Sequence, residues 1–186
     1  MVIQQRMDPA TYERIAGDAA YKLTELRDGI PTEKPVMSQR HGDLVVAIAA
    51  MLWSQTDASR LRVRANHAKL AISAGSYDIP DVVVLPAPRL TAGMDGADLD
   101  HEPALLVVEI WSPSTGDYDQ TTKIPGYLLR GDAEIWLVEP GQRAIRRWIR
   151  RDDGGYDEHV SRGGEISPAA IPGVSLALDA LFGAAE

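Results

Sequence analysis

Hydrophobic and polar positions change period several times along the chain, and each change marks an element. From Asp8, the residues Tyr12, Ile15, Ala16 and Ala19 recur at helical spacing. Asp8 suits an N-cap and Pro9 the first helical position, so a helix is predicted over Asp8–Ala20, weakened near its end by Gly17. Tyr21–Arg27 then alternates like a strand, and Asp28-Gly29 is the strongest short hairpin signal available. Pro31 and Pro35 restrict the returning strand to a short or edge position. Ser38 caps the clearest helix, which runs to about Asp57 with His41, Leu44, Val45, Ile48, Met51 and Leu52 on one apolar face.

Beyond it, Arg60–Ile72 reads as one or two strands, alternating Leu61, Val63 and Ala65 against arginines. Gly75-Ser76 predicts a turn into a strand that opens Ile79-Pro80-Asp81 and continues through Val82–Leu85. A long polar loop, Pro86–Pro103, leads directly to a second buried-type strand over Leu105–Trp111. Asp117–Arg130 is predicted as a helix stopped by Gly131-Asp132 and disturbed by Pro125. Strands follow at Ala133–Glu139, Ala144–Arg150, Tyr156–Val160 and Pro172–Leu178, with a last helical turn over Asp179–Phe182. Without a repeat, linker or low-complexity tract, residues 1–186 are expected to form one domain. The order of elements predicts an α/β protein with a mixed sheet.

Composition narrows the picture only a little. At 186 residues and 45% apolar, the chain can bury a substantial core. No window reaches the roughly 18 apolar residues of a membrane span, so no membrane partner is expected. The absence of cysteine excludes disulfides, thiolate metal sites and a cysteine nucleophile. That composition, with no basic-then-apolar leader at Met1–Ala10, fits a cytoplasmic protein. A net charge of −8 argues against strong non-specific binding to nucleic acid. Two acid-free segments stand out against it: Arg60, Arg62, Arg64, His67 and Lys69, then Arg143, Arg146, Arg147, Arg150 and Arg151. They are either solvated strand faces and oligomer contacts or a phosphate-tracking patch.

The candidate chemistry lies between Pro80 and Lys123. Asp81 and Glu109 each sit on a buried-type strand, and Lys123 follows on the next element. An unpaired buried carboxylate is costly, and a shared metal ion would supply the missing partner. The direct connection through Pro86–Pro103 makes the two strands neighbours. Each residue also has a plainer reading: Asp81 as a turn cap, Glu109 as half of a structural ion pair, Lys123 as a solvated helix lysine. His41 is either a histidine at the edge of the core or a side chain aimed into the carboxylates' cavity. Ser112-Pro-Ser-Thr lacks the Gly-x-Ser-x-Gly setting of a nucleophile and reads as a loop and helix cap.

Six patterns occur in order: Glu25-Leu-x-Asp-Gly, Ser38-x-x-His41, Pro80-Asp81-Val-Val-Val, Val108-Glu109-Ile-x-Ser112-Pro-Ser-Thr, Lys123-x3-Tyr127 and Glu134-x-Trp136-x-Val-x-Pro140. Together the ordered set resembles the Uma-two family of restriction-endonuclease-like proteins, within the PD-(D/E)XK nuclease superfamily, over about residues 8–182. The resemblance implies a nuclease-like core with flanking helices and extra antiparallel strands. It also implies a metal site of Asp81, Glu109 and Glu25, filled by Mg²⁺ or Mn²⁺, with Lys123 as the catalytic lysine. The superfamily's usual lysine place, two residues after the second acid, holds Trp111 here, so Lys123 is read as a migrated equivalent. A second departure is Ile30-Pro31, where the family usually carries an acid and a longer strand. The expected activity is metal-dependent endonucleolytic hydrolysis of DNA. The alternative is a non-catalytic, oligomeric nucleic-acid- or partner-binding protein on the same scaffold. A third reading, Asp81 and Glu109 as a glycosidase pair, would need carboxyls roughly 5 to 9.5 Å apart with no metal. Trp148 among arginines points to a homodimer or higher homo-oligomer.

Overall fold

The computed structural model describes residues 6–35, 37–87, 99–113 and 116–184. Helix α1 (Pro9–Ile15) starts as expected, with the Asp8 side chain accepting from the Thr11 N–H. It ends five residues early, before Gly17, and Ala19–Tyr21 forms a separate 3-10 turn. Strands β1 (Thr24–Arg27) and β2 (Ile30–Glu33) then make the predicted hairpin. Asp28 and Gly29 take left-handed backbone, φ 49° and 78°, as a two-residue hairpin turn requires. β2 is an edge strand, in keeping with its proline.

Helix α2 (Gln39–Gln55) is capped by Ser38, whose hydroxyl accepts from the His41 N–H. After it come β3 (Leu61–Ala65), β4 (Lys69–Ser73), β5 (Ser76–Asp78) and β6 (Val82–Pro86). The Gly75-Ser76 turn therefore leads into β5, a strand of three residues that periodicity does not register, and β6 begins only after Ile79-Pro80. The middle of the predicted 86–103 loop lies outside the described residues, and its end carries β7 (Leu99–Asp100). β8 (Leu106–Ile110) and β9 (Glu134–Glu139) follow the expected buried strands. β10 (Ala144–Arg150) and β11 (Tyr156–Ser161) form the expected antiparallel pair. The close of the chain differs: β12 (Glu165–Ile166) pairs with a two-residue β13 (Leu176–Ala177), and helix α5 (Leu178–Gly183) starts at once.

One sheet runs β11-β10-β9-β8-β6-β3 and a second runs β2-β1-β5-β4-β7. β6 and β8 are antiparallel neighbours and β8 and β9 are parallel, so the sheet is mixed. Its central strands are buried on both faces, which is why they read as continuous apolar runs. Val82, Val84, Leu106, Val108 and Trp136 face α2 and α5. Val83, Leu85, Val107, Ile135 and Leu137 face Leu70 of β4 and Tyr127. At about 1.5–3 kcal/mol for each large apolar side chain buried, these two layers fix where β6 and β8 end. Among the described residues, no helix is long and apolar enough to cross a membrane.

The predicted helix over Asp117–Arg130 is continuous but changes pitch. It comprises α3 (Gly116–Tyr118), a π turn (Asp119–Lys123) and α4 (Ile124–Arg130), closed by Gly131 at φ 84°. Pro125 accounts for the change. It has no N–H to give, and its ring would press on the carbonyl four residues back. The preceding turn widens instead, with the Ile124 N–H reaching Asp119 O. Both Asp119 and Lys123 are buried in this turn.

The basic segments separate into different roles. Lys69 is buried and donates to Tyr12 Oη, Tyr21 O and Thr24 O at 2.7–3.1 Å. Arg146, Arg147 and Arg151 pair with Glu158, Glu134 and Asp157 of the same chain. Trp148 packs with Tyr156 against the Tyr127 side of the core rather than standing clear on the surface.

Candidate metal centre

The ends of four elements meet at one cleft. β1 carries Glu25, the residue before β6 is Asp81, β8 carries Glu109, and the π turn carries Lys123 and Asp119; all line the same cavity with Lys34. The antiparallel register that pairs Val82 with Val108 sets Asp81 across from Glu109 when continued by one residue. Adjacency of the two strands, expected from the direct connection, is what the fold has. The four residues singled out from the sequence are therefore together, and all are buried.

Each acid is held differently. Asp81 accepts from Lys34 Nζ at 2.8 Å on Oδ1 and from the Ile110 N–H at 2.8 Å on Oδ2. His41 Nε2 pairs with Oδ1 at 3.1 Å. Burial opposes ionisation of Asp81, but the Lys34 ammonium and His41 outweigh it and hold the carboxyl well below the usual range. Glu25 takes Lys123 Nζ at 2.8 Å and the Ile79 N–H at 3.1 Å on Oε1, and Arg27 at 2.6 Å on Oε2. Those cations overcome burial and lower its pKa. Glu109 meets Lys123 at 3.2 Å and the Tyr127 hydroxyl at 2.7 Å, and both contacts fall on Oε1. Burial pushes Glu109 up to about 8, with Asp81 and Asp119 adding to the push.

Lys123 is the hub of the cleft. Burial alone would favour a neutral amine, yet Glu109 and Glu25 hold its pKa well above the ordinary lysine value. The shorter contact is with Glu25, so that pair carries the ionic bond and Glu109 is left as the less neutralised acid.

Five buried acids, Glu25, Asp78, Asp81, Glu109 and Asp119, stand near three cations, Arg27, Lys34 and Lys123. Carboxylates thus outnumber the lysines and arginine here by two, and burial raises Asp78 to about 7. Hard carboxylate oxygens in excess of fixed cations are the donor chemistry that suits Mg²⁺ or Mn²⁺. Asp81 and Glu109 are the pair that could share such an ion. Among the described residues, no three Asp, Glu or His side chains converge on one ion-sized point. The Lys123 ammonium lies between Glu25 and Glu109 instead.

Lys34, Asp119 and Tyr127 were not singled out in advance as members of the site. Tyr127 stands in the Lys123-x3-Tyr127 spacing and Asp119 one helical turn before Lys123, so both had a signal. Lys34 follows a proline-broken edge strand, where no periodicity marks it.

A restriction-endonuclease-like core with an acid-lysine cleft at the ends of its central strands is the class that fold and site define. The model of the Uma2 family, described as "Putative restriction endonuclease", matches residues 9–179, and the chain belongs to that family. The fold is also that of a crystal structure described as a putative nuclease belonging to DUF820 from Anabaena variabilis. The two share 17% identity with a TM-score of 0.72, over 88% of this chain and 91% of that one. No curated protein matches the sequence.

Proposed function

We propose that the protein is a divalent-metal-dependent endonuclease that hydrolyses phosphodiester bonds of DNA. The observation that carries this reading is the buried pair of Asp81 and Glu109 on facing strands, in which Glu109 shares its lysine with Glu25 while Asp81 is held by Lys34. Membership of a restriction-endonuclease family supports the choice of substrate.

Asp81 and Glu109 would hold the cation, Mg²⁺ or Mn²⁺. A divalent ion in such a place lowers the pKa of water and polarises a phosphoryl oxygen. Glu25 has both oxygens committed, so it joins the ligands only by giving up Lys123 or Arg27; otherwise it serves as the anchor of Lys123. The Lys123 ammonium, fixed and charged, orients the attacking water and balances charge that grows on the phosphate. Lys34 keeps Asp81 ionised, and the Tyr127 hydroxyl fixes the rotamer of Glu109.

The test is cleavage of supercoiled and linear DNA with Mg²⁺ or Mn²⁺ by wild type, Asp81→Asn and Glu109→Gln. Each substitution is expected to lower the rate by roughly 100-fold or more. Cleavage that survives both would remove the proposed site. A wild type that neither cuts DNA nor binds metal in calorimetry would favour the non-catalytic scaffold.

A further inference from the structure

Of the three cations at the acid cleft, Arg27 differs in what it leaves open. The side chains of Lys34 and Lys123 are 7% and 3% exposed and end among carboxylate and carbonyl oxygens. Arg27 lines the same cavity with its side chain 26% exposed, so it stands at the rim.

The guanidinium is fixed on two sides. Nε and Nη2 both donate to Oε2 of Glu25, at 3.2 and 2.6 Å. One face lies over the ring of Tyr118, the last residue of α3, with Cζ 3.7 Å from the ring centroid. That is close stacking, since Arg143 over Phe182 and Arg147 over Trp136 stand 5.7 Å away. Glu25 is in turn held by Lys123 and the Ile79 N–H, so the anchor is a fixed one.

One edge of the fork remains. Nη1 donates to nothing among the described residues, and it is not closed off from solvent. A planar guanidinium with two nitrogens on one carboxylate can take a second anion's oxygen on the third without releasing the first. With Glu25 and Tyr118 holding the plane, little side-chain freedom is left to lose on binding. Neutralising Glu25 does not account for this arrangement, because Lys123 already gives that carboxylate a cation at 2.8 Å. A polyanion also needs an accessible positive charge at a cleft with five buried acids, and of the three cations only Arg27 reaches solvent to this extent.

We infer that Arg27 receives a phosphodiester of DNA at the mouth of the cleft, its Nη1 edge donating to a non-bridging oxygen. Tyr118 is the positioning residue that keeps the guanidinium flat and aimed. This rests on the reading of the cleft as a phosphodiesterase site, and it adds the contact through which an acid-rich site admits a polyanionic substrate.

The test is binding of a dye-labelled DNA duplex, followed by fluorescence anisotropy with EDTA present so that nothing is cut. Arg27→Gln should weaken binding about tenfold, the loss of one charge-assisted contact. It should also reduce the salt slope by about 0.9, one phosphate contact fewer. Tyr118→Leu leaves every charge in place and should weaken binding about threefold, the loss of the stack. The double variant Glu25→Gln/Arg27→Gln removes the ion pair as a unit and should bind as weakly as Arg27→Gln. Wild-type affinity in Arg27→Gln, full recovery in the double variant, or no binding by wild type overturns the inference. Recovery would make Arg27 a counter-ion of Glu25 and nothing more. Wild-type affinity in Tyr118→Leu overturns the positioning role. If Arg27→Gln cuts DNA with an unchanged KM, the phosphate contact fails and the cleft reading stands. If wild type cuts nothing with Mg²⁺ or Mn²⁺ but binding still depends on Arg27, the cleft reading fails and the contact stands.

Discussion

Two buried glutamates on neighbouring parallel strands have opposite surroundings. Glu134, at the start of β9, uses both oxygens. Arg147 Nε at 2.9 Å and the Trp136 indole at 2.5 Å bind Oε1, and the Ala169 N–H at 2.6 Å binds Oε2. It ties a strand, an arginine and the chain near Ala169 together, and its charge is matched one to one. Glu109, on β8, receives both its contacts on one oxygen and shares its only cation with Glu25. Burial is the same for both. What differs is the count of partners, and on the proposed reading that separates a carboxylate kept for structure from one that would bind a metal ion.

The largest effect is expected at the shared cation. Lys123→Met leaves Glu25 and Glu109 without the ammonium between them and should cost about 3–5 kcal/mol in urea unfolding. A loss below about 1 kcal/mol would mean that those acids do not lean on it. Next is Glu134→Gln, which keeps the shape but strips the charge from Arg147. We expect a loss of about 2 kcal/mol, read from the same unfolding curves, with no change in any metal response.

The third prediction concerns pH. Glu109 has its pKa raised to about 8 from an ordinary 4.5, so between those values the folded protein binds the extra proton. Its contribution to stability is therefore greatest at low pH and falls as pH rises from about 4.5 to about 8, by up to about 1.4 kcal/mol per unit. Glu109→Gln should flatten that part of the profile, whereas Glu134→Gln should not. Asp81 works the other way. Its lowered pKa gives stability that is present above the ordinary carboxylate range and lost on acidification below it. The smallest effect belongs to the rim. Arg146→Gln, in a pair with 38% and 48% exposed side chains, should change stability by no more than about 1 kcal/mol; a larger loss would place Arg146 with the buried arginines.

The contrast between the two glutamates was half visible in the sequence. Apolar runs around both residues announced burial, and the short path from Asp81 to Glu109 announced neighbouring strands. The ordered resemblance added Glu25 at the same site as Asp81, Glu109 and Lys123, because it encodes long-range proximity that local periodicity lacks. Hidden from a linear reading were the partners supplied from a distance: Lys34 for Asp81, Arg147 and the Ala169 N–H for Glu134. The π turn before Pro125 was legible only as a disturbance, although it is where Asp119 and Lys123 are buried. β5 was missed because three residues are too few to show a period, and α1 was overextended because alanines carry helical spacing past a glycine. Arginines that looked like one surface stripe, Arg146 and Arg147, belong to opposite classes once their carboxylates are seen.

The central claim is that Asp81 and Glu109, the latter without a cation of its own, form a divalent-cation site and that Glu134 does not. Thermal unfolding with increasing Mn²⁺ tests it directly, since an ion bound only to the folded state raises the melting temperature with its concentration. The account predicts a rise for wild type and for Glu134→Gln, and none for Glu109→Gln. A wild type indifferent to Mn²⁺, or a Glu109→Gln protein that responds as wild type does, would contradict it.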